Sequence, residues 1–211
     1  MFYLSKTPWV LKKLYPECIW DIPTKEKILY LTFDDGPRPE ATPFVLDQLR
    51  KYGAKATFFC IGKNVQEYFD IYKRMIDDGH KPGNHTYDHL NGWKEKDKTY
   101  LQNIFKAKNI IDSDLFRPPY GRITKFQLTQ LRAEKYKLTT VMWSVLSGDF
   151  DKNISKEKCY NNVIKNAKEG SIVVFHDSEK SFEKLSYALP KVLEYFSKKG
   201  FEFRVIKNNT V

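Results

Sequence analysis

Short apolar runs alternate with longer amphipathic stretches along nearly the whole of this chain, and no other feature restricts its fold as much. The apolar runs are 27–33 (KILYLTF), 56–61 (ATFFCI), 138–143 (LTTVMW), 171–175 (SIVVF) and 201–206 (FEFRVI), with weaker ones at 81–84 and 115–117. Their length and their β-branched and aromatic content predict strands. Between them, 40–52, 64–78, 97–112, 124–136, 155–168 and 180–199 repeat apolar residues at helical spacing. Gly53, Gly79, Gly170 and Gly200 each close one of these stretches, as a left-handed helix cap favours. Strand and helix in alternation predict parallel strands joined by crossover helices. About seven such units favour a closed or nearly closed α/β barrel over an open sheet, with chemistry expected at the C-terminal ends of the strands.

Composition supports one packed domain. The chain has 211 residues, 41% of them hydrophobic and 15% aromatic, which is ample for a core and speaks against disorder. No repeat or linker divides it. The expected organisation is a segment 1–26 packed on the barrel, a domain over 27–206 and a tail 207–211. Lys and Arg number 36 against 26 Asp and Glu, a net charge of +10. Such an excess attracts anionic polymers, but the lysines are spread along the chain, so a solvated surface is expected and no nucleic-acid partner. Cys18, Cys60 and Cys159 are odd in number and form no CxxC, which argues against a disulfide framework or a thiolate zinc site. The start of the chain breaks its apolar residues with Pro8, Lys12, Lys13 and Pro16, unlike a secretory signal. No window approaches the ~20 apolar residues of a membrane span. A cytoplasmic protein is therefore expected.

Two adjacent carboxylates, Asp34 and Asp35, follow the first apolar run in TFDDGP. They repel each other and cost desolvation, so they either sit in a solvated turn or share a positive charge. In PGNHTYDHL, His85 and His89 stand four apart, on one face if the segment is helical or tightly turned. Two histidines at that spacing are often ordinary surface or core residues. They also form a frequent metal-ligand pair, because neutral imidazole suits zinc. One carboxylate from TFDDGP would complete a His₂Asp set with open positions, the mark of a catalytic metal. The other acid would then stay free beside a water whose pKa the metal lowers from 15.7 towards about 7. A glycosidase pair is disfavoured, since sequence neighbours leaving a strand point in different directions.

Other segments offer supporting groups. In RPPYG, Pro118 and Pro119 stiffen the loop that presents the Tyr120 N–H, and Arg117 can orient a carboxylate through a bidentate contact, although the segment also reads as a plain proline turn. Asp149, Asp151 and Asn153 do not make a calcium loop: Ile154 stands where glycine is needed and Tyr160 where glutamate is needed. Asp149 is better cast as an acid that holds a histidine. His176 ends a buried run and can protonate a leaving group, unless it is simply a satisfied core histidine.

Together these segments resemble the polysaccharide deacetylase family, carbohydrate esterase family four with its NodB-homology domain. TFDDGP, ATFFCIG, HTYDH, RPPYG and the segments ending in Asp149 and His176 follow the family's motifs in order, from about Lys27 to Ile206. The resemblance implies a distorted (β/α) barrel of about seven strands. It implies that Asp35, His85 and His89 hold a divalent metal, usually zinc, and that Asp34 is the general base, positioned by Arg117. The Tyr120 amide would help to stabilise an oxyanion, and His176, tuned by Asp149, would be the general acid. Tyr120, Trp143 and Val174 would contact substrate, an acetylated carbohydrate. The implied activity is metal-dependent removal of N-acetyl groups from an amino sugar; an O-acetyl esterase using the same site, and a non-catalytic glycan or nucleic-acid binder, are the alternatives. Two motifs depart from the family. Leu146 replaces an expected aspartate and Phe150 a tryptophan, while Val174 replaces a leucine, which places substrate identity in question more than chemistry.

Overall fold

The structure, a computed structural model, describes residues 4–133 and 135–207. Residues 1–3 of the expected N-terminal segment and 208–211 of the expected tail lie outside the described residues. Strand β1 (Ile28–Asp34) is buried at every position. It pairs in parallel with β2 (Thr57–Cys60), β7 (Ile172–His176) and the short β8 (Glu202–Phe203). Strands β3 (Lys81–Asn84), β4 (Leu115–Phe116) and β5 (Thr139–Thr140) extend the sheet beyond β2, and β6 (Val145–Leu146) lies outside β7. The order β5-β4-β3-β2-β1-β7-β6 curls into a distorted barrel.

Burial on both faces explains why these strands read as continuous apolar runs. Side chains alternate along a strand, so Leu29, Leu31 and Phe33 of β1 pack under the outer helices, together with Val173 and Phe175 of β7. Ile28, Tyr30 and Ile172 face the other way, into the barrel, with Phe59 and Leu115. The same alternation carries Thr32 and Asp34 to the inner face of β1, and Val174 and His176 to that of β7. Asp34 and His176 are Cα partners at the adjoining strand ends.

The elements follow the expected stretches, with three corrections. The stretch 64–78 is two helices, α3 (Gly62–Glu67) and α4 (Phe69–Asp77), broken at Tyr68, whose backbone is not helical. The run 138–143 yields only the two-residue β5, because the backbone then leaves the ladder for β6, which the sequence reading missed. A helix at the start of the chain, α1 (Trp9–Leu14), was also not expected.

The N-terminal segment laces the seam between β5 and β6. Ile19 bridges Val141 in parallel and Lys6 bridges Val145 in antiparallel fashion. The Ile19 N–H donates to the Thr140 carbonyl at 2.9 Å, and the Thr7 N–H to that of Ser144 at 3.0 Å. All three cysteines are buried and free.

Candidate active site

The strand ends open into a cleft of about 910 Å³ whose lining includes Asp34, Asp35, His85, His89, Tyr120 and His176. Asp34 is the last residue of β1, and its side chain remains inside the barrel. The backbone then turns through the left-handed region at Asp35, with φ of 82°, so the second carboxylate leaves in another direction. The Asp35 carbonyl accepts a hydrogen bond from Asn64 Nδ2 at 2.8 Å. Adjacent in sequence, the two acids meet different partners.

Asp35 meets the histidines. Its Oδ1 lies 3.2 Å from His89 Nε2 and 3.7 Å from His85 Nε2. That oxygen is buried, yet no donor hydrogen bonds to it. One ligand atom from each of Asp35, His85 and His89 lies within 4.8 Å of the other two. His85 Nδ1 lies 2.7 Å from the Arg117 carbonyl, which fixes the ring N–H there and turns the Nε2 lone pair towards Asp35. Burial depresses the pKa of His85 to about 4, which keeps the ring neutral. Burial also works to raise the Asp35 carboxyl, but His89, His176 and His85 outweigh it and hold that group well below the usual range. A neutral imidazole with its lone pair aimed inward and a buried carboxylate oxygen lacking a donor make a donor set that fits a divalent cation.

The loop holding the histidines is not a helix. Thr86 and His89 take positive φ values of 64° and 58°. Side chains satisfy its backbone donors: Asn84 Oδ1 accepts from the Thr86 N–H, and Asn103 Oδ1 from those of Tyr87 and Asp88. The two rings come within 5.2 Å through loop geometry instead of helical periodicity.

Asp34 meets Arg117, which follows β4 and is fully buried. Arg117 NH1 donates to Asp34 Oδ1 and to Thr32 Oγ1, both at 2.7 Å. Its Nε and NH2 donate to the carbonyls of Val141 and Met142 at 3.1 and 2.9 Å. The guanidinium lies over the Phe59 ring at 4.0 Å. The described contact with the carboxylate is thus through one nitrogen, in place of the bidentate fork expected from sequence. The remaining hydrogen bonds go to the Thr32 hydroxyl and two backbone carbonyls, which fixes the arginine in place.

Across the cleft, His176 Nδ1 lies 2.8 Å from Asp149 Oδ1, and the His176 backbone N–H donates to Asp149 Oδ2 at 2.7 Å. Burial acts to lower the His176 pKa; the Asp149 carboxylate, helped by Asp35 and Asp34, overcomes it and raises the value to about 10. The Phe150 ring stands edge-on to His176 at 5.2 Å, and Leu146 and Val174 line the same wall. Trp143 also lines the cleft. Tyr120 sits in a 3₁₀ turn with φ of 60°, its exposed ring 4.7 Å from His89. Every site residue read from the sequence therefore reaches this cleft or, in the cases of Arg117 and Asp149, directly contacts a residue that does.

Asp177 was missed. It is fully buried, and its Oδ1 accepts from the Gly36 N–H at 3.1 Å while Thr42 Oγ1 donates to Oδ2 at 2.5 Å. A Cβ on Gly36 would fall 2.0 Å from Asp177 Oδ2, so any larger residue there forces the turn after Asp35 or the Asp177 carboxylate to shift. Asp177 directly follows His176 at the end of an apolar run, which was the available signal. Asn64 and Thr32 gave none.

Comparison with known proteins agrees with this geometry. The family model for polysaccharide deacetylase matches residues 21–141. A peptidoglycan-N-acetylglucosamine deacetylase of Bacillus cereus is 39% identical over 190 residues, covering 87% of this chain and 88% of that protein. A chitooligosaccharide deacetylase of Azorhizobium caulinodans is 36% identical over 163 residues, 74% of this chain and 76% of that one. The crystal structure of a peptidoglycan N-acetylglucosamine deacetylase bound to a naphthyl-substituted N-oxidanyl-benzamide aligns at a TM-score of 0.85 and 33% identity, covering 95% of each chain. By a match over more than half its length, and by relatives alike over most of theirs, the chain belongs to the polysaccharide deacetylase family.

Proposed function

We propose that the chain removes the N-acetyl group from an amino sugar within a glycan, with a divalent cation at Asp35, His85 and His89. The observation that carries this reading is the convergence of both Nε2 atoms on a buried carboxylate oxygen that has no donor. Two imidazoles and one carboxylate suit Zn²⁺. Held there, the cation acts as a Lewis acid towards water and an acetyl carbonyl.

The remaining steps belong to side chains. Asp34, pinned at Oδ1 by Arg117, accepts the proton of the attacking water. The Tyr120 N–H donates to the developing oxyanion; one such donor is worth about 10²–10³ in rate. His176, protonated through Asp149, gives its proton to the departing amine, a poor leaving group until it is protonated. The Cα pairing of Asp34 with His176 sets base and acid side by side at the strand ends. Leu146, Phe150 and Val174 give the wall beside His176 an apolar character that suits an acetyl methyl. Relatives named as deacetylases of peptidoglycan N-acetylglucosamine and N-acetylmuramic acid support the amide over an O-acetyl ester.

Acetate release is the direct test, measured on chitooligosaccharides, peptidoglycan fragments and acetylated xylan with and without chelator. Release from the N-acetylated sugars, lost on chelation and restored by Zn²⁺, is expected. Replacing His89 or Asp34 by Ala should cut turnover by at least about 10³-fold. Turnover indifferent to chelator, or confined to xylan, would defeat the proposal.

A further inference from the structure

Helix α1 is the one described α-helix that buries none of its residues. Trp9 is 66% exposed, Val10 45%, Leu11 41% and Leu14 51%, and Leu4 before the helix is 49% exposed. Five of the eleven exposed large hydrophobic side chains among the described residues thus fall within positions 4–14, which makes this a patch instead of scatter.

The patch is held in place. Before the helix, Thr7 Oγ1 donates to the Trp143 carbonyl at 2.7 Å, and the Leu146 N–H to the Ser5 carbonyl at 2.8 Å. After it, Trp20 Nε1 donates to the Tyr15 carbonyl at 2.9 Å, and Lys12 pairs with Asp21. A six-residue helix cannot persist on its own strength, so these anchors dictate its position. The fold fixes an apolar helix on the barrel seam and leaves its side chains facing outward. Leu11 and Leu14 also line the cleft, so the patch runs into its mouth.

We infer that α1 and the adjoining rim of the cleft dock on the surface of an anionic lipid bilayer. With Lys12 paired to Asp21, positions 4–21 leave Lys6 and Lys13 against the single acid Glu17, on a chain of net charge +10. Lys13 Nζ lies 4.8 Å above the Trp9 ring, an amine and an indole side by side, as suits the boundary between headgroups and acyl chains. Lysine stems cover apolar surface while their charges meet anionic headgroups. A second copy of the chain is a poorer occupant, since a two-fold contact would set these lysines against their own images. No described helix is long and apolar enough to cross a membrane, so the contact is interfacial. Docking brings the cleft mouth to the lipid surface. The inference stands apart from the proposed reaction, because its readout is binding.

The test is flotation of the full chain with vesicles of phosphatidylcholine alone, and with vesicles holding phosphatidylglycerol at about one lipid in three. Binding to the anionic vesicles, weakened by about 0.5 M salt, is expected. A Trp9→Ser, Val10→Ser double variant should lose about tenfold or more in partitioning, and Lys13→Glu should lose binding while the melting temperature holds. Absence of binding to either vesicle overturns the inference. So does binding unchanged in the double variant, or a lipid-independent dimer in solution that the double variant dissolves.

Discussion

Asp34 and Asp35 differ by one position and do opposite things. The strand alternation keeps Asp34 on the inner face, where Arg117 and Thr32 wait, and the positive φ of Asp35 releases the second carboxylate towards the histidines. The two neighbouring acids are thereby divided between a guanidinium and a pair of imidazoles that could hold a cation with Asp35. His176 is the other residue whose task is set by a neighbour. In the proposed reaction it is the general acid, which works only below its pKa; Asp149 raises that value, so activity should fall as pH rises through it. Asp149→Asn removes the charge but leaves an acceptor for Nδ1. Its alkaline limb in kcat/KM should move to lower pH, and kcat at neutral pH should drop about 10- to 100-fold. A pH–rate profile of the two proteins checks this; an unmoved limb would remove Asp149 from the role.

Elements carry the site through their ends and loops. The strand ends of β1 and β7 bring Asp34 and His176 together, while the turn after Asp35 is clamped by Asp177 through Gly36 and Thr42. Gly36→Ala forces a methyl into the Asp177 carboxylate, so the turn has to shift. Titration with Zn²⁺ should show affinity weakened by about 10- to 100-fold, with the far-ultraviolet circular dichroism unchanged. Undiminished affinity would show that the clamp does not position Asp35. The histidine loop was legible as a candidate ligand pair yet not in its geometry. Helical periodicity would also have brought the rings together, but Asn84 and Asn103 stabilise a loop with two left-handed residues instead. β6 went unread for a related reason: two residues carry too little periodicity to register, and pairing with β7 defines them.

At the scale of the whole molecule, the barrel's stability should depend on pH through His80, a histidine outside the cleft lining. His80 is buried beside Phe58, and its Nδ1 accepts the Ala56 N–H at 3.2 Å. Burial, with Lys55 nearby, lowers its pKa from 6.5 to about 4. The fold favours the neutral ring, so this stabilisation is complete above pH 6.5 and is lost as pH falls through about 4. Urea unfolding should show stability declining across that window, and His80→Asn should show a shallower slope. An equal slope would assign the decline to carboxylates alone. The sequence by itself determined the alternation of parallel strands and helices, the reactive residue types and their order, because a strand buried on both faces is written as an apolar run and chemistry collects where such runs end. Only tertiary structure decided that a turn clamped by Asp177 holds Asp35 apart from Asp34, that two backbone carbonyls fix Arg117 beside Thr32 and Asp34, and that residues 5–19 lace a seam and hold an apolar helix outward. Those outcomes rest on contacts between residues far apart in the chain, such as Asp177 with Gly36 and Thr7 with Trp143, which local sequence does not encode.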